Sequence, residues 1–226
     1  MRLKRSHAAA VIALLLSLCA APRAQEVARL AEPEGEALAA QGRGVYGFER
    51  AANEYGFWGG GSFSSPTVIG STERVRLGLV AFRYARVMAR GENMALKYTL
   101  DAVPVASLSF PVFEATAGGV REVRKTITGA GLAPVGFQVN FRRREHVQPF
   151  AQVSGGFLYF GERVPDARGA QFNFTGDFGG GVQWKTGARR AWKVGYRYHH
   201  ISNGYRADVN PGFDSNLFYV GFSIFR

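Results

Sequence analysis

The 226-residue chain is poor in cysteine, in acid and in long apolar runs, with one cysteine (Cys19) and 17 Asp and Glu against 28 Lys and Arg. Each shortage excludes a class. A lone cysteine rules out a disulfide framework, a CxxC redox centre and a thiolate zinc site. After the first two dozen residues no stretch approaches the 18 continuous apolar residues of a membrane-spanning helix. The acid deficit gives a net charge of +11, of which Arg2, Lys4, Arg5 and Arg23 fall in the first 24 residues, where there is no acid. Beyond them 24 positives face 17 acids, leaving +7. Such a surplus suits an anionic surface, nucleic acid or lipid headgroups alike. What is present is 46% hydrophobic and 13% aromatic with 29 glycines and a mean hydropathy of -0.09, the balance of one folded domain.

The opening MRLKRSHAAAVIALLLSLCAAPRAQ has a basic start, a 14-residue apolar run from Ala8 to Ala21 and then small residues. This predicts a secretory signal peptide over 1–24, cleaved near Ala24, because the run is too short to span a bilayer as a helix. Lipoprotein processing at Cys19 is disfavoured by Leu18, where a small residue is expected. Residues 25–53 read as a flexible or partly helical leader. From Glu54 the texture changes to eight segments rich in Phe, Tyr, Val and Gly, at 54–63, 74–86, 94–105, 131–142, 147–160, 171–184, 190–202 and 214–225.

Alternation within these segments predicts strands with one apolar and one polar face, since residues i and i+2 share a face. Phe172, Phe174, Phe178, Val182 and Trp184 oppose Asn173, Thr175, Asp177, Gln183 and Lys185. Val135, Phe137, Val139 and Phe141 oppose Gln138, Asn140 and Arg142, and Met94, Leu96, Tyr98 and Leu100 oppose Lys97, Thr99 and Asp101. Phe218, Val220, Phe222 and Ile224 oppose Tyr219, Gly221 and Ser223. The segment 74–86 starts cleanly at Val75, Leu77 and Leu79, then loses its pattern at Phe82, Arg83 and Tyr84, which suggests a bulge.

Eight such strands fit either a soluble lipocalin-type barrel with its apolar face inward or an outer-membrane barrel with that face outward. Short connections after strands two, four and six, against longer ones after the odd strands (up to about 106–130), favour the membrane form. The expected fold is therefore all-β, an eight-stranded antiparallel transmembrane barrel over 54–226. Its interior is filled by side chains, which disfavours transport of large solutes. A structural or adhesive barrel, or an enzyme with its site on the barrel wall, remains.

The seventh strand and the loop after it decide between them. The strand's even face, the lipid-facing one, runs Trp192, Val194, Tyr196, Tyr198, His200, Ser202, so His200 and Ser202 are consecutive on that face at the outer end. A neutral imidazole beside a hydroxyl is the arrangement that activates a serine nucleophile. Asp214 opens the eighth strand on the same face, where a carboxylate can accept the other imidazole N–H. Asn203 follows the serine and offers a side-chain amide to an oxyanion. The plainer reading is a barrel rim with girdle aromatics and a turn-capping Asp. A polar trio aimed at hydrocarbon is costly unless it works, which favours catalysis.

The sequence His200, Ile201, Ser202, Asn203, followed 12 residues after the serine by Asp214, resembles the outer-membrane lipid A 3-O-deacylases of the PagL type, often grouped with acyloxyacyl hydrolase-like proteins. The resemblance implies an eight-stranded barrel with a His, Ser and Glu triad on its outer face and hydrolysis of the acyl ester at position 3 of lipid A. By position it makes His200 the base, Ser202 the nucleophile, Asp214 the orienting acid, and Asn203 with Gly204 the oxyanion side. It implies lipid A or lipopolysaccharide as substrate, outer-membrane lipids as surroundings, no cofactor, no metal and no nucleic acid. A homodimer is compatible with it. Two departures stand out: Asp replaces Glu, and the chain ends FSIFR rather than on the usual terminal aromatic. An open rim would let Asp214→Glu be tolerated.

Other motifs point elsewhere less well. The glycine triplets 59–61 and 179–181 lack a Lys-Ser/Thr partner and sit inside strand patterns. His199 and His200 point to opposite faces, which argues against shared metal ligation. Arg142, Arg143 and Arg144 read as a solvated flank at a short turn. Arg121, Arg124 and Lys125, in the expected long external loop, are weak candidates for contacts to lipid A phosphates.

Overall fold

The computed structural model describes residues 51–226; the expected signal peptide, and the leader up to residue 50, lie outside the described residues. Eight antiparallel strands run in chain order: β1 (Asn53–Ser64), β2 (Arg76–Arg90), β3 (Met94–Thr116), β4 (Gly119–Phe141), β5 (Val147–Val164), β6 (Ala170–Gly187), β7 (Arg190–Ser202) and β8 (Phe213–Phe225). Each pairs with its sequence neighbours, and β1 pairs with β8 from Glu54↔Phe225 upward, which closes the barrel. Closure satisfies the backbone ladder that would otherwise present edges to lipid.

The alternation of the sequence becomes an inside and an outside. On β6 Phe174, Phe178 and Val182 are exposed, while Asn173, Asp177, Gln183 and Lys185 are buried in the lumen. Phe137 and Phe141 of β4, and Phe218, Val220 and Ile224 of β8, also point outward. An outer surface so apolar on a closed barrel is a lipid-facing one. Aromatic pairs gather at two levels of that wall. Tyr55 with Tyr84 and Trp192 with Phe222 lie toward the short turns, and Phe157, Phe172 and Phe174 toward the opposite end.

Inside, the half near the short turns is polar and paired. The Glu54 carboxylate accepts from Lys97 at 2.8 Å, from Lys193, and from Ser223 Oγ at 2.7 Å. Arg83 grips Asp101 through Nε and Nη2 at 2.6 and 2.5 Å, and Arg197 lies between Asp177 and Asp101 with its guanidinium 4.2 Å from the Trp58 ring centroid. Gln138, Asn140, Gln148 and Gln183 complete a chain of buried amides. Each of these buried charges thus has a partner, the condition under which its desolvation is tolerated.

The other half of the lumen is apolar, which corrects the sequence expectation for the second strand. Val75, Leu77 and Leu79 face inward, packed with Leu108, Phe110, Ile127, Phe160 and Phe213, and β2 keeps strict alternation through Ala81, Arg83 and Ala85. The pattern looked muddled because the inward face changes from apolar to polar along one strand. The register shift opposite Val80 and Phe82 puts the extra residue on β3, at Val103 and Pro104. A similar shift on β4 falls at Pro134. Proline has no N–H for the ladder, and these two sit at bulges, where the ladder is already interrupted.

A second correction concerns 106–130. It is not a loop: β3 and β4 continue to Thr116 and from Gly119, and residues 110–128 extend past the last pairs with β2 and β5 as a two-stranded ribbon. The bulges reverse the phase of alternation, so the inward positions pass from Asp101 and Val103 to Ala106, Leu108 and Phe110. The short turns at 91–93, 142–146 and 188–189 lie at the opposite end, and Arg142–Arg144 occupy one of them as expected.

Candidate active site

Strand register assembles the site at the ribbon end of β7 and β8. His200 lies directly opposite Asp214, and Ile201↔Phe213 is the last pair of that ladder. His200 Nδ1 and Asp214 Oδ1 are 2.6 Å apart, a distance at which a ring N–H donates to a carboxylate. This leaves Nε2 as the nitrogen free to exchange a proton. Ser202 stands two residues further along the same outward face, opposite Phe174 of β6. His200 and Ser202 are half-buried, whereas Asp214 is fully enclosed. His199 faces the lumen, its Nδ1 3.7 Å from Asp177, so the two histidines do point apart.

The enclosure of Asp214 comes from the β1–β2 loop. Backbone N–H groups of Val68, Ile69 and Gly70 all donate to Oδ2, at 2.9, 2.8 and 2.9 Å. Ser65 Oγ donates to the Asp214 backbone carbonyl at 2.8 Å. Donors on both oxygens demand an acceptor-only carboxylate, the state that stabilises an imidazolium. The direct cross-strand pair brings the short aspartate side chain to the ring with no extra methylene needed.

The predicted oxyanion side divides. The Asn203 side chain is buried, its Nδ2 donating to Val209 O at 2.7 Å, while its backbone N–H donates to Asn210 Oδ1 at 2.9 Å. It braces the β7–β8 loop, which corrects the expectation of an amide turned toward the nucleophile. The Gly204 N–H points at Ser202 Oγ from 3.4 Å, where an oxyanion formed at that serine would find a donor. Arg121, Arg124 and Lys125 belong to β4 rather than to a loop. Arg124 donates to Ser109 and to the Arg74 carbonyl, and Lys125 pairs with Glu162, so neither is an uncommitted cation. Among the described residues no cluster of His, Cys, Asp and Glu is arranged to hold a metal ion.

Two features escaped the sequence. The Val68–Gly70 cradle is made of main-chain atoms, which carry no residue signature. Arg206, in the β7–β8 loop, lies over the Phe172 and Phe174 rings at 5.5 and 5.8 Å, placing a cation beside the strand position paired with Ser202.

Comparison with known proteins adds a family. Residues 93–223 match the model of the family described as lipid A 3-O-deacylase (PagL). No curated protein matches. Among solved structures, the chain is similar to a crystal structure of the outer membrane enzyme PagL, with 18% identity, a TM-score of 0.46 and coverage of 76% of this chain and 99% of the other. It is similar to Neisserial surface protein A at 12% identity and a TM-score of 0.41, covering 76% and 96%. Outer membrane protein OprG from Pseudomonas aeruginosa gives 11% identity and a TM-score of 0.46, covering 78% and 97%.

Proposed function

The chain belongs to the lipid A 3-O-deacylase (PagL) family, and from that membership we propose that His200, Ser202 and Asp214 form the catalytic triad of an outer-membrane ester hydrolase. The protein is an outer-membrane lipid A 3-O-deacylase, and its substrate, lipid A, is a component of the membrane that the barrel spans. The observation that carries the assignment of residues is the 2.6 Å pair between His200 Nδ1 and Asp214, set on the lipid-facing wall next to the only hydroxyl of the motif.

Ser202 Oγ attacks the acyl ester carbonyl as His200 Nε2 takes its proton, and Asp214 stabilises the imidazolium through Nδ1. The tetrahedral oxyanion accepts the Gly204 N–H. Collapse breaks the ester C–O bond, the imidazolium protonates the departing sugar oxygen, and the acyl group stays on Ser202. Water, deprotonated by His200, then releases the fatty acid and restores the serine. Arg206 offers charge to an anionic group of the substrate near the nucleophile. Because the triad faces lipid, the acyl chain reaches Ser202 without leaving the membrane.

A serine-directed fluorophosphonate tests the assignment. Labelling of folded protein is expected at Ser202, lost in Ser202→Ala and strongly slowed in His200→Ala. Labelling of another serine in the Ser202→Ala protein at the wild-type rate would reject it.

A further inference from the structure

The loop that encloses Asp214 presents two opposite chemistries. Its main chain turns inward, with Val68, Ile69 and Gly70 donating to the carboxylate. Its side chains turn outward, Val68 74% and Ile69 65% exposed. The loop is seated on the β7–β8 loop: Ser71 N and Oγ donate to the Pro211 carbonyl at 2.7 and 3.0 Å, and Thr72 pairs with Phe213. The seat has no slack. A Cβ on Gly70 would come within 2.7 Å of the Gly212 carbonyl carbon, and one on Gly212 within 3.0 Å of both Gly70 Cα and His200 Cε1. A small displacement of the loop therefore moves three donors on the acid and a contact on the base.

Exposed Val and Ile on this wall are at home in an acyl layer and poorly placed in water. We propose that the Val68–Gly70 segment is a lipid-dependent clamp on the triad acid: its N–H groups position Asp214, and its Val68 and Ile69 side chains enter the acyl chains of the lipid that presents the substrate. The proposal rests on Asp214 acting as the orienting acid. Because the same residues carry the anchors and the donors, seating the side chains in lipid restricts the loop and holds the carboxylate toward His200 Nδ1. Away from lipid the loop gains freedom and the His200–Asp214 pair loosens. Val68, Ile69 and Gly70 are positioning residues, reaching the chemistry through Asp214.

Two variants and two readouts separate the parts. V68N/I69N keeps every N–H and removes the anchors, so kcat/KM should fall about tenfold more on lipid A in phospholipid vesicles than on a short-chain soluble ester with the enzyme held in lipid-free amphipol, where the wild-type loop is already unseated. Gly70→Ala lifts the cradle, so kcat should fall on both substrates, with no added loss in an Asp214→Asn background. The second readout is the downfield Nδ1–H proton of His200, followed by NMR in lipid nanodiscs on a Ser202→Ala background. It should persist in Ser202→Ala alone and vanish when Gly70→Ala is added. Equal losses on vesicles and soluble ester in V68N/I69N, or a downfield proton that survives Gly70→Ala, would overturn the clamp. Hydrolysis by Ser202→Ala at the wild-type rate would instead strike the triad assignment, while the proton signal still reports on the clamp.

Discussion

At the residue scale, the carboxylate is the informative member of the proposed triad. Asp214→Asn keeps the size of the side chain but loses the acceptor-only character that its four donors require, and it favours the wrong tautomer of His200. A fall in kcat of about 10³ to 10⁴-fold is expected, by analogy with the serine protease aspartate. Asp214→Glu, tolerable on an open rim, meets a closed one: the added methylene has to displace the β1–β2 loop or His200. It should therefore cost activity as well, measured by steady-state hydrolysis of lipid A. His200, Ser202 and Asp214 were legible in the sequence because alternation alone places them on one face. The cradle was not, since it links positions 144 to 146 residues apart through main-chain N–H groups. The setting of Asn203 was not legible either: an amide after a serine offers donors on paper, and only the loop shows the side chain buried and donating to Val209.

At the scale of the strand, each side chain's value depends on which side of the wall it occupies. Phe178 is exposed to lipid at the middle of β6, and Phe178→Arg should destabilise the barrel by about 2 to 4 kcal/mol. Gln183, on the opposite face, accepts from Asn140 and donates to Gln148. Gln183→Asn shortens the amide and should cost about 1 to 3 kcal/mol through unmet buried partners. The midpoint of heat-modifiable gel mobility after refolding measures both; a Phe178→Arg barrel as stable as wild type would contradict the outward assignment. Strand boundaries were legible wherever one phase of alternation holds, as on β7, where 190–202 matches the observed strand. They failed on β3 and β4, because the bulges at Pro104 and Pro134 reverse the phase and make the continuation look like loop.

At the scale of the molecule, the lumen is a solid support for a site on its outside. Glu54 joins β1 to β3, β7 and β8 through Lys97, Lys193 and Ser223, so the strand that carries His200 and Ser202 is tied to the barrel's far side. Glu54→Ala leaves two buried lysines without their carboxylate and should lower stability by about 3 to 5 kcal/mol, read as the unfolding midpoint in detergent. The rim is braced as well, with Arg74 bound to Glu122 of the ribbon by paired 2.7 Å hydrogen bonds at the end of the loop that covers Asp214. Barrel, ribbon and loop thus converge on one outward-facing serine. The most direct test is mass spectrometry of lipid A from Gram-negative cells expressing the wild-type chain or Ser202→Ala, each confirmed as folded in the outer membrane. Lipid A lighter by one ester-linked acyl chain is expected with the wild type, and unchanged lipid A with Ser202→Ala. Unchanged lipid A with the wild type, or the same acyl loss with both, would contradict it.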